Sequence, residues 1–144
     1  ELGAAETIEI ARGGGQAEAV RAATIDGQGA WIAIDATGQP EVWCDAFACV
    51  RPGGLVNLFG GCAPGTSVSL DTGRVHYGEL TIKGVYHHRP KTVQRALALL
   101  GDERFNADLL LSGERPIAGV EEALRAMINK NALKMVIRKE LDEK

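Results

Sequence analysis

No uninterrupted apolar run in the sequence approaches the roughly 20 residues that a membrane span requires. The opening Glu1-Leu2-Gly3-Ala4-Ala5 has no basic stretch followed by an apolar one, so no signal peptide is read. It also lacks a Met, and the expectation is that the chain was processed or begins inside a longer protein. Cysteine is scarce: Cys44, Cys49 and Cys62 are odd in number and show no CxxC spacing. That usage offers neither a disulfide framework nor a zinc knuckle and suits a reducing, cytoplasmic compartment. Positive charge is not in excess, with 16 Lys and Arg against 19 Asp and Glu, a net charge of -3 and a pI near 5.6. A nucleic-acid partner and an anionic membrane surface are therefore not expected.

What is present describes a globular domain: 144 residues, 45% apolar, 24% charged with both signs mixed, and mean hydropathy -0.06. A chain of this length buries roughly 68–70% of its unfolded surface, and the composition argues against disorder.

Glycine punctuates the chain, with 18 residues clustered where apolar runs end. Thr7–Ile10 reads as a short strand, followed by Gly13-Gly14-Gly15 and a helix over about Ala17–Ala23. The continuous apolar run Trp31–Ile34 suits a strand buried on both faces. Pro40 fits the first turn of a helix, where its missing N–H costs nothing, and Val42, Ala46, Cys49 and Val50 recur at helical spacing. Arg51-Pro52-Gly53-Gly54 turns into a second buried strand, Leu55–Phe59, closed by Gly60-Gly61. Ser67–Leu70 alternates as an edge strand would, and Leu80–Lys83 leads into Gly84-Val85-Tyr86. Pro90 opens a helix carrying Val93, Ala96, Leu97 and Leu100 on one face, with Gly101 as its cap. A further amphipathic helix spans Val120–Ile128, a closing strand Lys134–Arg138, and a fraying charged tail 139–144. This rhythm predicts an α/β fold with a largely parallel sheet, residues 1–138 forming one domain.

In such a sheet, ligands bind outside the carboxyl ends of the strands. Three of those ends carry small residues: Ala36-Thr37-Gly38, Gly60-Gly61 and Gly84-Val85. Singly each glycine is a tight turn; three in succession suggest a cleft. Other chemistries find no support. Gly60…Gly65-Thr66 has P-loop glycine spacing, but Thr66 stands where the lysine belongs and Pro64 removes a donor. A complete GxGxxG, a GxSxG and an HExxH are all absent. His87 and His88, adjacent on an extended chain, would point to opposite faces and could not chelate one ion, so no metal site is read here. Asp35 at a strand end could act as a base if desolvated, but is better read as a cap for nearby N–H groups.

Several ordered segments resemble the C-terminal half of medium-chain, zinc-dependent alcohol and polyol dehydrogenases. They are Ile34-Asp35-Ala36-Thr37-Gly38, Val50-Arg51-Pro52-Gly53-Gly54-Leu55-Val56, Phe59-Gly60-Gly61, Glu79–Tyr86 and Ala132–Ile137, running in order across nearly the whole chain. The resemblance implies an incomplete Rossmann-type doubly wound parallel sheet with a C-terminal return segment, lacking the first strand and its glycine fingerprint. It implies NAD or NADP as cofactor, an alcohol or polyol as substrate, and zinc held by an N-terminal domain that this chain does not contain. On its own the chain would then be inactive, with no catalytic residue of its own. Thr37, Gly38, Phe59, Gly60, Gly61, Val85, His87 and Lys134 would lie against the cofactor, and Tyr86 would face the substrate pocket. Val85 and His87 would bond the carboxamide through their backbones, and Lys134 would sit near the pyrophosphate. Ser67–Leu70 resembles the segment through which sheets of this family pair, so a homo-oligomer is implied. Without its first strands, the sheet would expose an apolar edge along Trp31–Ile34 and leave Thr7–Ile10 unpaired. The alternatives are a non-catalytic dimerisation module and a fragment of a zinc-free quinone reductase.

Overall fold

The computed structural model describes residues 3–10 and 14–139. Gly13, the first of the three consecutive glycines, and the tail from residue 140 lie outside the described residues. The chain divides into two compact units, Ala5–His88 and Arg89–Lys144 with Glu1–Ala4.

In the first unit, helix α1 (Gln16–Ala22) precedes strand β1 (Ala30–Asp35), helix α2 (Pro40–Cys49), strand β2 (Val50–Leu58), helix α3 (Thr72–Tyr77) and strand β3 (Thr81–Gly84). The three strands form one parallel sheet in the order β1-β2-β3, with Ala33 opposite Val56 and Val56 opposite Ile82. Pro40 opens α2 as its sequence implies, and the helix presents Ala46, Phe47 and Cys49 to the interior. Phe47, Ala46, Val50 and Val56 form the core, with Ala33, Leu58, Leu70, Val75, Leu80 and Ile82 packed around them.

Strand β2 starts earlier than its apolar run. Its register against β1 shifts between Ala30 and Ile32, and this irregularity admits Pro52, Gly53 and Gly54 into a central strand, where a regular ladder would reject them. Arg51 anchors this end: its guanidinium stacks on Trp31 at 4.1 Å and bonds Gln28 at 2.9 Å. Helix α3 was not legible in the sequence, being six residues with a glycine at its second position. Its Asp71 cap accepts from the N–H groups of Gly73 and Arg74 at 2.8 and 3.2 Å. Arg74 then donates to the carbonyls of Ala48 and Val50 at 3.3 and 2.7 Å, fastening α3 to the carboxyl end of α2.

Two expected strands do not form. Thr7–Ile10 lies in irregular, exposed chain, with no neighbouring strand among the described residues to satisfy its backbone. Ser67–Leu70 has no ladder either. Its alternation is real but serves packing, for Val68 and Leu70 close a small apolar pocket with Trp43, Phe47, Val56, Leu58 and Ile82. The expected apolar edge is present: β1 ends the sheet, and Trp31, Ile32 and Ile34 are each at least 60% exposed.

The second unit contains helix α4 (Pro90–Leu100), strand β4 (Gly113–Pro116), helix α5 (Val120–Ile128) and strand β5 (Met135–Arg138). Both helices and β5 match the sequence reading, with Gly101 capping α4 in a right-handed rather than left-handed conformation. Strand β4 pairs with β5 in parallel, an arrangement that Gly113-Glu114-Arg115-Pro116 does not announce by any apolar pattern. Arg138 pairs with Glu114 at 2.5 Å, and the Ser112 hydroxyl accepts from the Leu133 N–H at 2.7 Å.

Hydrogen exchange should separate these segments. Amides of Leu55–Leu58, central in the sheet, should be the slowest in the first unit, while those of Thr7–Ile10 exchange at rates near an open chain. Strong protection at Ile8–Ile10 would contradict the structure.

Candidate functional site

The carboxyl ends of β1 and β2 are joined by one buried acid. Asp35 is 1% exposed, and its carboxylate accepts four hydrogen bonds. They come from the Thr37 N–H (3.0 Å), the Thr37 hydroxyl (2.7 Å), the Gly38 N–H (3.1 Å) and the Trp43 indole N–H (3.1 Å). Its backbone carbonyl accepts from the N–H groups of Phe59 and Gly60 at 3.0 and 2.8 Å. The Trp43 indole also donates to the Gly60 carbonyl at 3.0 Å. Burial, the largest single influence, pushes the Asp35 carboxyl up, yet the bonds from Thr37, Gly38 and Trp43 together hold it below its ordinary value. The cap reading of Asp35 is borne out.

Two glycines are needed for this closeness. A Cβ on Gly60 would stand 2.5 Å from an Asp35 carboxylate oxygen and closer still to the Gly38 N–H. Gly38, at φ 69°, would drive a Cβ into the Gly61 carbonyl. Gly61 faces open space.

Thr37, Gly38, Gly60 and Gly61 are thus brought together, with Phe59 60% exposed beside them. Val85, after β3, joins them by donating its N–H to the Leu58 carbonyl at 3.3 Å. Tyr86 is 86% exposed, with its ring centroid 3.8 Å from that of His87. The His87–His88 pair is not extended, since His87 turns into the left-handed region at φ 56°. Lys134 lies in the second unit, exposed at the threshold of β5, its carbonyl accepting from the Ser112 N–H at 2.8 Å. Sequence reasoning missed Trp43. The available signal was an aromatic N–H donor in the first turn of a helix that begins five residues after a buried acid.

The residues after Gly60 form no phosphate loop. Thr66 turns back to bond the Ala63 carbonyl through its N–H at 3.2 Å and its hydroxyl at 2.8 Å. The three cysteines are free, and burial, assisted by Asp45, pushes the Cys49 thiol up. Among the described residues, no three His, Cys, Asp or Glu side chains come together as metal ligands. No helix of the described residues is long and apolar enough to cross a membrane.

Residues 1–102 match the zinc-binding dehydrogenase family. The chain belongs to that family. Geraniol dehydrogenase from Castellaniella defragrans is 30% identical over 140 residues, covering 95% of this chain. Among solved structures, an alcohol dehydrogenase from Thermotoga maritima superposes with TM-score 0.77 over 86% of the chain at 22% identity. The protein AibC superposes with TM-score 0.76 over 95% of it at 26% identity. This zinc-binding dehydrogenase chain spans 37% of the length of geraniol dehydrogenase, and 35% and 40% of those two structures. Its α/β fold with parallel sheets is the partial Rossmann fold of their C-terminal domains.

Replacing Asp35 with Asn leaves one pair of donors facing an amide N–H. At neutral pH this should lower stability by about 1–3 kcal/mol. Because the folded-state pKa is depressed, the wild-type advantage is full above the ordinary carboxylate range. It is lost as the pH falls through the depressed value. Urea midpoints of the two proteins should therefore converge as the pH is taken below about 4. A gap that stays constant down to acid pH would refute the ionised-hub account.

Proposed function

We propose that this chain is the cofactor-binding part of an oxidoreductase that moves hydride from an alcohol or polyol to NAD or NADP. The observation that supports this most is the interlocked pair of glycine turns at the carboxyl ends of β1 and β2, built around Asp35 and open to a ligand at Gly61. That is where an open parallel sheet takes its ligand. When bound, the nicotinamide ring accepts the hydride. The chain's own part is to hold the ring and its ribose against Phe59, Gly60 and Gly61, with backbone groups of Val85 and His87 for the carboxamide. Tyr86 faces the substrate. Activation of the alcohol, by zinc in this reading, belongs to residues outside the chain, so the chain alone binds cofactor without turnover. Positioning of this kind contributes to rate only once the reacting groups are assembled.

Calorimetry with NAD and NADP tests the reading, together with an absorbance assay of alcohol oxidation by the intact protein. The expected result is dinucleotide binding by this chain and oxidation only by the intact protein. Gly61→Leu, whose side chain enters open space without disturbing the fold, should weaken binding at least tenfold, about 1.4 kcal/mol. A chain that self-associates but binds neither dinucleotide would favour the dimerisation module instead.

A further inference from the structure

The first residue past each strand of the three-stranded sheet is exposed and has a side chain without a polar atom: Ala36 after β1, Phe59 after β2 and Val85 after β3. Phe59 is 60% exposed and Val85 38%. These two stand side by side, since Leu58 pairs with Gly84 one position earlier and the Val85 N–H reaches the Leu58 carbonyl. The oxygen-bearing side chains of the β1 turn are committed to the fold. Asp35 is buried with both carboxylate oxygens bonded, and the Thr37 hydroxyl donates to Asp35 while accepting from the Gln39 N–H.

Beyond Val85 the chain adds two rings. Tyr86 is 86% exposed, and the His87 ring lies against it with centroids 3.8 Å apart and planes inclined at 53°. His87 sits at φ 56°, an uncommon conformation for a residue with a Cβ. Backbone of this kind gathers at ligand sites. The result is an open corner of two inclined rings beside the apolar pair Phe59 and Val85.

We propose that this end of the sheet selects an alcohol carrying an aromatic or unsaturated hydrocarbon group, and rejects a polyol, with Tyr86 as the specificity-determining residue. The inference rests on the cofactor reading above and names the substrate class of that same site. A planar hydrocarbon group covers the exposed Tyr86 ring in the offset or edge-on contact that aromatic faces prefer. The hydroxyl groups of a polyol, pressed against Phe59, Val85 and Tyr86, would leave water without gaining partners there.

The test compares benzyl alcohol, sorbitol and ethanol as substrates of the intact protein supplied with NAD or NADP, alongside calorimetric binding of the dinucleotide. Benzyl alcohol should exceed sorbitol in kcat/KM by about 100-fold. Tyr86→Ala should lower kcat/KM about tenfold for benzyl alcohol and less than about threefold for ethanol, chiefly through KM, because the ring binds ground state and transition state alike. Tyr86→Phe, which keeps the ring, should retain the preference. A wild-type preference for sorbitol or ethanol would overturn the inference and leave hydride transfer standing. Equal losses on benzyl alcohol and ethanol in Tyr86→Ala would also overturn it, making Tyr86 a structural residue. Oxidation of none of the three with dinucleotide bound would sink the substrate class alone; binding of neither dinucleotide would remove the cofactor reading and this inference together.

Discussion

The structure of the first unit turns on a single unfavourable placement made favourable by its surroundings. A carboxylate taken out of water costs several kcal/mol unless its oxygens are bonded. Asp35 is bonded at both oxygens, by donors from its own turn and from the first part of α2. Its main-chain carbonyl simultaneously holds the end of β2. One residue therefore sets the distance between two strand ends, the entry angle of α2 and the height of the Gly60–Gly61 turn. The apolar core beneath it, Phe47, Val50 and Val56, supplies burial but no direction.

The sheet is finished on one face only. Ala33, Val56, Leu58 and Ile82 pack toward the core, and Ile32 and Ile34, one residue out of phase, look the other way and stay exposed. An apolar run that reads as a strand buried on both faces is in this chain buried on one. The run is suited to a larger sheet, and the fraction of relatives' length that the chain spans, 37% for geraniol dehydrogenase, agrees with that.

Elements set by local chemistry were legible in the sequence. Pro40 and Pro90 marked helix starts, and the 3.6-residue spacing of Val93, Leu97 and Leu100 marked a helix although none of its residues is buried. Elements set by a distant partner were not. Strand β4 exists through its pairing with β5, and α3 through Arg74 reaching across to α2. Thr7–Ile10 shows the converse, a strand-like pattern with no partner strand among the described residues. Ser67–Leu70 alternates for packing, and alternation alone does not say whether the inward side chains meet a sheet or a pocket. At the site, the glycines were legible as small residues at strand ends. Their interlocking was not, because it depends on a backbone approach between residues more than twenty positions apart.

The geometry of the two turns also bears on how this protein can change over evolutionary time. Gly38, Gly60, Trp43 and Asp35 are tied through one pair of turns, since a Cβ at Gly60 strikes the Gly38 N–H and the Asp35 carboxylate, a Cβ at Gly38 strikes the Gly61 carbonyl, and the acid is bonded by the indole. Contacting residues of this kind do not have additive effects. A lineage losing any one of them alone would pass through a damaged intermediate, whereas a joint replacement could reach a different, equally sound arrangement. The quartet should therefore drift as a unit, and its members should co-vary more tightly with each other than with the Val and Leu residues that form the core below.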